Sequence, residues 1–167
     1  TNDDGSATLP NPGDWGMIGV PALMNPNQLI DGEVFLKYVI ISYGGKQFDN
    51  DAFVVFVGKS SNFQISHSEL FNNVGPIAIT SQTANFSLTD SNIYAPDYCQ
   101  DFGPDTVLCG GSLFNWGSDN FNVSNNYWGS SAGPTVMSEN GIVLGGVALS
   151  GAFNFLPFDS EKKEIFK

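Results

Sequence analysis

The chain has a single histidine, and it sits two residues before a glutamate, in His67-Ser68-Glu69. Imidazole can take up or release a proton near neutral pH, and a carboxylate beside it is its usual partner in general acid–base work. A similar run, Asp90-Ser91-Asn92, follows 23 residues later. If the two runs stack, His67 faces Asp90, and this pair is the catalytic candidate. Its plainer reading is a cross-strand surface pair, since no further acid, base or cation converges on it. The same alignment sets Glu69 over Asn92 over Tyr127, and His67 over Asp90 over Asn125. Glycoside cleavage uses two carboxylates, one protonated and one ionised, and neither column stacks two. The basic residue of an elimination mechanism has Lys37, Lys46 and Lys59 as its candidates.

Other residues suggest binding. Asp49 and Asp51, flanking Asn50, are candidate Ca²⁺ ligands, because that ion takes carboxylate and carbonyl oxygens. So is the series Asp97, Asp101 and Asp105. Neither spacing matches an EF-hand, and acidic turns that keep the chain soluble explain both. No cofactor beyond Ca²⁺ is indicated. Tyr94, Tyr98, Phe102 and Trp116 fall in or beside one segment and could stack on sugar faces, or simply pack that segment down. Cys99 and Cys109 are the only cysteines and flank a polar loop of nine residues. A disulfide closing the loop is the preferred reading, and two thiols in a reducing compartment the alternative. A structural zinc site needs four ligands, which two cysteines without a nearby histidine do not supply. Asn85 and Asn122 each begin an N-glycosylation sequon.

Composition narrows the class of partner. Net charge is −11, and all six basic residues are lysine. That balance excludes a surface built for nucleic-acid phosphates or an anionic membrane. The absence of arginine removes the bidentate clamp for carboxylate or phosphate. No apolar run is long enough to span a bilayer as a helix. Charged residues make up only 14 %, while Gly (19), Pro (9) and Phe (14) are frequent. Such a chain covers its surface with Asn, Ser and Thr and turns often. At 167 residues it suits one domain.

The elements that position these side chains can be read from a repeat. Asn62-Phe63-Gln64-Ile65-Ser66 recurs as Asn85-Phe86-Ser87-Leu88-Thr89 and as Asn120-Phe121-Asn122-Val123-Ser124. Periods of this length indicate a solenoid whose coils bury their apolar faces only against one another. Phe63, Phe86 and Phe121 form one inward column. Ile65, Leu88 and Val123 form a second, and Ile41, Leu70, Ile93 and Trp128 a third. Helical periodicity is nearly absent, and strand-length apolar runs are divided by Asn, Gly, Ser and Pro. The fold predicted is all-β: a parallel β-helix of about four to five coils, in preference to an antiparallel sandwich. Residues 1–12 form an extended lead-in, 13–158 the solenoid with a lateral loop at 95–111, and 159–167 a tail that is a short helix or an exit linker. The first strand is predicted over Trp15 to Val20.

Three segments carry a family resemblance. Gly13-Asp14-Trp15-Gly16-Met17-Ile18 resembles the "WGGI" strand, Tyr38 to Gly45 the "V-x-I-x-Y-G-G" turn, and Asn126-Tyr127-Trp128-Gly129 with Gly133-Pro134 the "N-x-W-G…G-P" closing motif of extracellular, pectate-lyase-like right-handed parallel β-helix proteins. Val147 to Pro157 is similar to the short terminal strand that follows. The resemblance covers about residues 13–158 and implies the right hand of the helix. It implies no single activity, because that fold serves lyases, hydrolases, adhesins and surface proteins alike. In such proteins several coils precede the "WGGI" strand. Here the expectation is therefore a fragment of a longer chain, or a first coil that meets another subunit. The role expected is a non-catalytic structural or adhesive module, secreted or on a cell surface. It would assemble with copies of itself, as in a filament, or with other surface proteins, and contact glycans. A polysaccharide-active lyase or glycoside hydrolase is the alternative, and ice binding a third reading that lacks a regular Thr array.

Overall fold

A computed structural model describes residues 9, 11, 13–20, 32–45, 53–58, 61–80, 83, 85–94, 99–101, 107–109, 111–138, 141–143 and 145–167, with backbone alone for 99–101, 107–109, 137–138 and 141–143. It is a right-handed parallel β-helix of about 4–5 coils. Each of the first three coils contributes one strand to each of three sheets, in which the strands of successive coils pair in parallel. The first coil holds β1 (Ile18–Val20), β2 (Glu33–Lys37) and β3 (Ile40–Ser42), and the second β4 (Val55–Val57), β5 (Asn62–Ser66) and β6 (Glu69–Phe71). The third holds β7 (Ile77–Ile79), β8 (Asn85–Thr89) and β9 (Asn92–Ile93). A lateral hairpin, β10 (Cys99–Asp101) and β11 (Val107–Cys109), precedes the fourth coil, β12 (Leu113–Asn115) and β13 (Phe121–Asn122). A second hairpin, β14 (Thr135–Ser138) and β15 (Gly141–Val143), precedes the last strands, β16 (Ala148–Ser150) and β17 (Phe153–Asn154).

The repeat sets the register. Asn62 pairs with Asn85, Phe63 with Phe86 and Ile65 with Leu88. Phe63, Ile65, Phe86 and Leu88 are buried, and the Phe63 and Phe86 rings stack at 6.3 Å. Alternate residues point inward because successive side chains of a strand leave opposite faces. The third column is also as predicted: Ile41 pairs with Leu70 and Leu70 with Ile93, and all three are buried with Trp128. Two further copies of the repeat stand in the same sheet. Val34 pairs with Phe63, and Phe153 with Phe121. The first strand begins later than predicted. Trp15 lies in the preceding turn, where its indole N–H donates to the Ser42 carbonyl at 2.6 Å.

Corners recur in register too. Tyr38, His67, Asp90 and Asn125 occupy equivalent corners, and all adopt left-handed backbone with φ between 50° and 58°. Non-glycine residues seldom adopt it, and Asn and Asp do so most readily. Inside each corner runs a polar ladder along the solenoid axis. Val39 N–H donates to Ser68 Oγ, Ser68 N–H to Ser91 Oγ, and Ser91 N–H to Asn126 Oδ1, at 3.2, 3.1 and 2.8 Å. Ser68 and Ser91 hydroxyls donate to the Ser66 and Thr89 carbonyls, and the Asn126 amide donates to the Leu88 and Val123 carbonyls. All three side chains are fully buried.

The two ends of the solenoid differ. At the C-terminal end β16 lies between β12 and β14, and the β14–β15 hairpin closes the seven-stranded sheet. Thr135 fastens it by donating to the Gly146 carbonyl and accepting from Gly145 N–H. A β-carbon at Gly146 would collide with the Trp128 carbonyl, so the cap admits only glycine there. Beside it Asn125 N–H donates to Pro157 and Asp159 N–H to Asn126, while Phe155 and Phe158 pack on the core. At the N-terminal end β1, β2 and β3 are the outermost strands of their sheets among the described residues. Val34 and Leu36, inward-facing there, remain half-exposed where Phe63 and Ile65 are fully buried.

Candidate functional site

The corner column carries the one histidine. The His67 ring meets the Tyr38 ring at a tilt of 53° with centroids 5.3 Å apart, and Lys37 lies 5.1 Å over the Tyr38 ring. His67 and Asp90 occupy equivalent corners of adjacent coils, as the repeat requires. His67 Nδ1 is buried with no hydrogen-bond partner, and Asp90 pairs with Lys163 at 3.9 Å. Next to them Glu69, Asn92 and Tyr127 form a second outward column.

The tail is neither helix nor free linker: it returns across this face. Lys163 N–H donates to Asn92 Oδ1 and the Asn92 amide donates to the Lys163 carbonyl, both at 2.9 Å. Lys162 pairs with Glu69 at 3.3 Å, and Lys163 with Asp159 at 2.7 Å. Glu69 and Asp90, one from each column, thus face ammonium groups from the tail, and the face works as a latch for residues 159–167. Asn92 is buried beneath it. Lys162 also lies 4.9 Å over the Tyr94 ring. The neighbouring Tyr94 hydroxyl holds the Lys162 ammonium above the usual lysine range, and burial pushes the Tyr94 phenol up.

Aromatic residues gather on two separate faces. Tyr43, Phe71, Tyr94 and Tyr127 run along the corner after the three-stranded sheet, with neighbouring centroids 6.3, 6.3 and 5.9 Å apart and the rings edge to face. That geometry favours ring–ring contact. On the outer face of the seven-stranded sheet, Trp116 is exposed and touches Phe53, Phe56 and Phe114 at 5.9, 6.3 and 5.3 Å. Tyr94 and Trp116, grouped by sequence proximity, therefore belong to different surfaces. Tyr98 and Phe102 lie outside the described residues, as do Asp49, Asp51, Asp97, Asp105, Lys46 and Lys59. Among the described residues no cluster of three His, Cys, Asp or Glu side chains could hold a metal ion.

The sequons are placed on strands. Asn85 is exposed on β8 and its amide donates to Asn62 Oδ1 at 3.2 Å, while exposed Asn122 accepts from Ser124 N–H. A glycan on Asn85 would take up an amide that now links two coils.

The first coil carries a patch that sequence reading did not single out by residue. Phe35 heads a column whose other members are Gln64, Ser87, Asn122 and Asn154. Ile40 heads the column continued by Glu69 and Asn92, and Tyr38 the corner continued by His67, Asp90 and Asn125. Phe35, Tyr38 and Ile40 are 60 %, 55 % and 56 % exposed. Outward positions that are polar on the next two coils are apolar on the first. Aligning the repeat from β2 onward would have revealed this, but Glu33-Val34-Phe35-Leu36-Lys37 shares no residue identity with Asn62 to Ser66.

No protein-family model, curated protein or solved structure matches the chain.

Proposed function

We propose that the chain is a non-catalytic structural or adhesive module of an extracellular or cell-surface assembly, a rigid acidic β-helix that joins other β-helical protein through its first coil. The apolar outward residues of that coil, at positions that are polar on the next two, carry this reading. Phe35, Tyr38 and Ile40 stand at the end where β1, β2 and β3 are the outermost strands among the described residues, and exposed apolar edges mark interaction sites. The other end has its own cap, as a solenoid terminus requires. Light scattering over a range of concentrations tests the reading. The chain is expected to associate, and Phe35→Ser with Ile40→Ser to abolish association while leaving the circular dichroism spectrum of the folded chain unchanged and its melting temperature independent of concentration. A chain monomeric at every concentration would count against assembly with copies of itself.

Glycan contact is the second part of the proposal. It rests on the exposed Trp116 cluster, whose rings offer apolar faces on an otherwise polar surface.

The extracellular setting gains support from the cysteines. Cys99 and Cys109 are directly opposed in the antiparallel β10–β11 ladder. Opposed residues there have Cα atoms about 4.5–5.5 Å apart, within the range a disulfide spans. We expect the unreduced, unfolded chain to show no reactive thiol, and two after reduction. Two thiols before reduction would refute the bond.

A further inference from the structure

We propose that the edge of β2, unpaired among the described residues, pairs with β2 of a second copy of this chain, antiparallel and about a two-fold axis through Phe35. This deepens the assembly reading above and rests on it.

The argument begins with the order of residues in the strand. Centred on Phe35, antiparallel pairing sets Glu33 opposite Lys37, Val34 opposite Leu36, and Phe35 opposite itself. Opposed side chains come within about 5 Å of one another, close enough for opposite charges and aromatic pairs to attract. Both Glu33–Lys37 contacts formed by the two-fold are attractive. Lys37 is the one cation of the first coil among the described residues, and it stands where this pairing needs it. Edge strands are usually guarded by charge of one sign. Here opposite signs placed symmetrically about an exposed phenylalanine make the edge self-complementary instead.

The inward residues give the same answer. An axis through Phe35 and normal to the sheet keeps inside with inside, so Val34 of one copy continues the core column beside Leu36 of the other. These two are the side chains left half-exposed, although their neighbours Phe63 and Ile65 are fully buried. The pairing would complete their burial and place Phe35 against Phe35 on the outer face.

The closed end decides the symmetry. Head-to-tail stacking needs an open edge at both termini and builds a filament. The β14–β15 hairpin occupies the C-terminal edge of the large sheet, and residues 157–159 lie along the adjoining corner. Beside them β17 is only two residues long. Among the described residues the C-terminal end offers only β15 and β17 as edges, three and two residues long, against the five of β2, so a two-fold pair, head to head through β2, is the assembly that closes.

Charge reversal tests the pairing. Sedimentation equilibrium of the chain should give a dimer. Glu33→Lys alone and Lys37→Glu alone each place like charges opposite one another twice, and each should weaken the dimer about tenfold or more. The two changes together restore opposite charges and should restore the dimer. A dimer indifferent to the single changes, or one that the double change fails to restore, overturns the β2 pairing and leaves assembly through the first coil standing. A chain that is monomeric throughout overturns the pairing and, with it, assembly of the chain with copies of itself. A second measurement does not depend on how the charge variants fold. Phe35→Cys should cross-link to its own copy under mild oxidation, whereas Gln64→Cys, one coil in, should not. Equal cross-linking at both positions, or none at Phe35→Cys, also overturns the pairing.

Discussion

Replacing Asn126 with alanine is expected to destabilise the chain by about 3–5 kcal/mol, seen as a lower urea midpoint with the slope unchanged. The side chain is fully buried and makes three hydrogen bonds: it accepts from Ser91 N–H and donates to the Leu88 and Val123 carbonyls. Alanine leaves all three backbone groups without that partner in a place water does not reach, and each such loss costs about 1–3 kcal/mol. Asn126→Asp separates the two roles of the amide. It keeps the acceptor for Ser91 but sets a carboxylate against two carbonyl oxygens, so it should be at least as damaging as alanine. Ser91→Ala, one rung along, removes only the acceptor for Ser68 N–H and the donor to Thr89, and should cost less. Equal stability of Asn126→Ala and the unaltered chain would show that the ladder contributes nothing.

The second large effect is at Trp128. It is among the largest fully buried side chains and completes the column of Ile41, Leu70 and Ile93. Trp128→Ala should cost about 3–5 kcal/mol, the range for emptying a large aromatic site in a packed core. Trp128→Phe should cost far less than the difference in volume suggests. The indole N–H is buried with no hydrogen-bond partner, and phenylalanine removes that polar group along with part of the ring. Thermal melts of the two variants check the contrast. Equal losses would mean that packing alone decides the site.

The parts of the fold that repeat literally were legible in the sequence. Asn-Phe-x-aliphatic-Ser/Thr pairs in register because like columns pack on like at each step of the coil, so burial selects the same residue types each time. Copies that solve the same problem with other residues were not legible. Val34 and Leu36 satisfy the inward positions without the Asn or Phe that mark their neighbours. Phe153 does so on a strand two residues long. The polar ladder was hidden for another reason: Ser and Asn read as surface residues, and only the corner geometry turns Ser68, Ser91 and Asn126 inward. The tail was misjudged because its charges suggested solvent or a helix, whereas they answer Glu69 and Asp90 on coils more than sixty residues away in sequence. His67 and Asp90 were placed correctly by the repeat, and Lys163 on Asp90 could not have been read from it.

The last coil has a bearing on how the chain matures. Strand β16 comes later in sequence than the hairpin that covers it, yet it lies between that hairpin and β12. During synthesis the hairpin therefore leaves the ribosome before the strand it will sit on. Until residues 148–150 arrive, the growing solenoid exposes a parallel edge at its lower end as well as at its upper one. Such edges are where nascent chains mispair. The interval is short, because the pairing of Val136 with Leu149 is local compared with the coil-to-coil contacts. The sealing step thus depends on elongation more than on search, and a pause in translation between the hairpin and β16 is the point at which this chain would be most prone to aggregate.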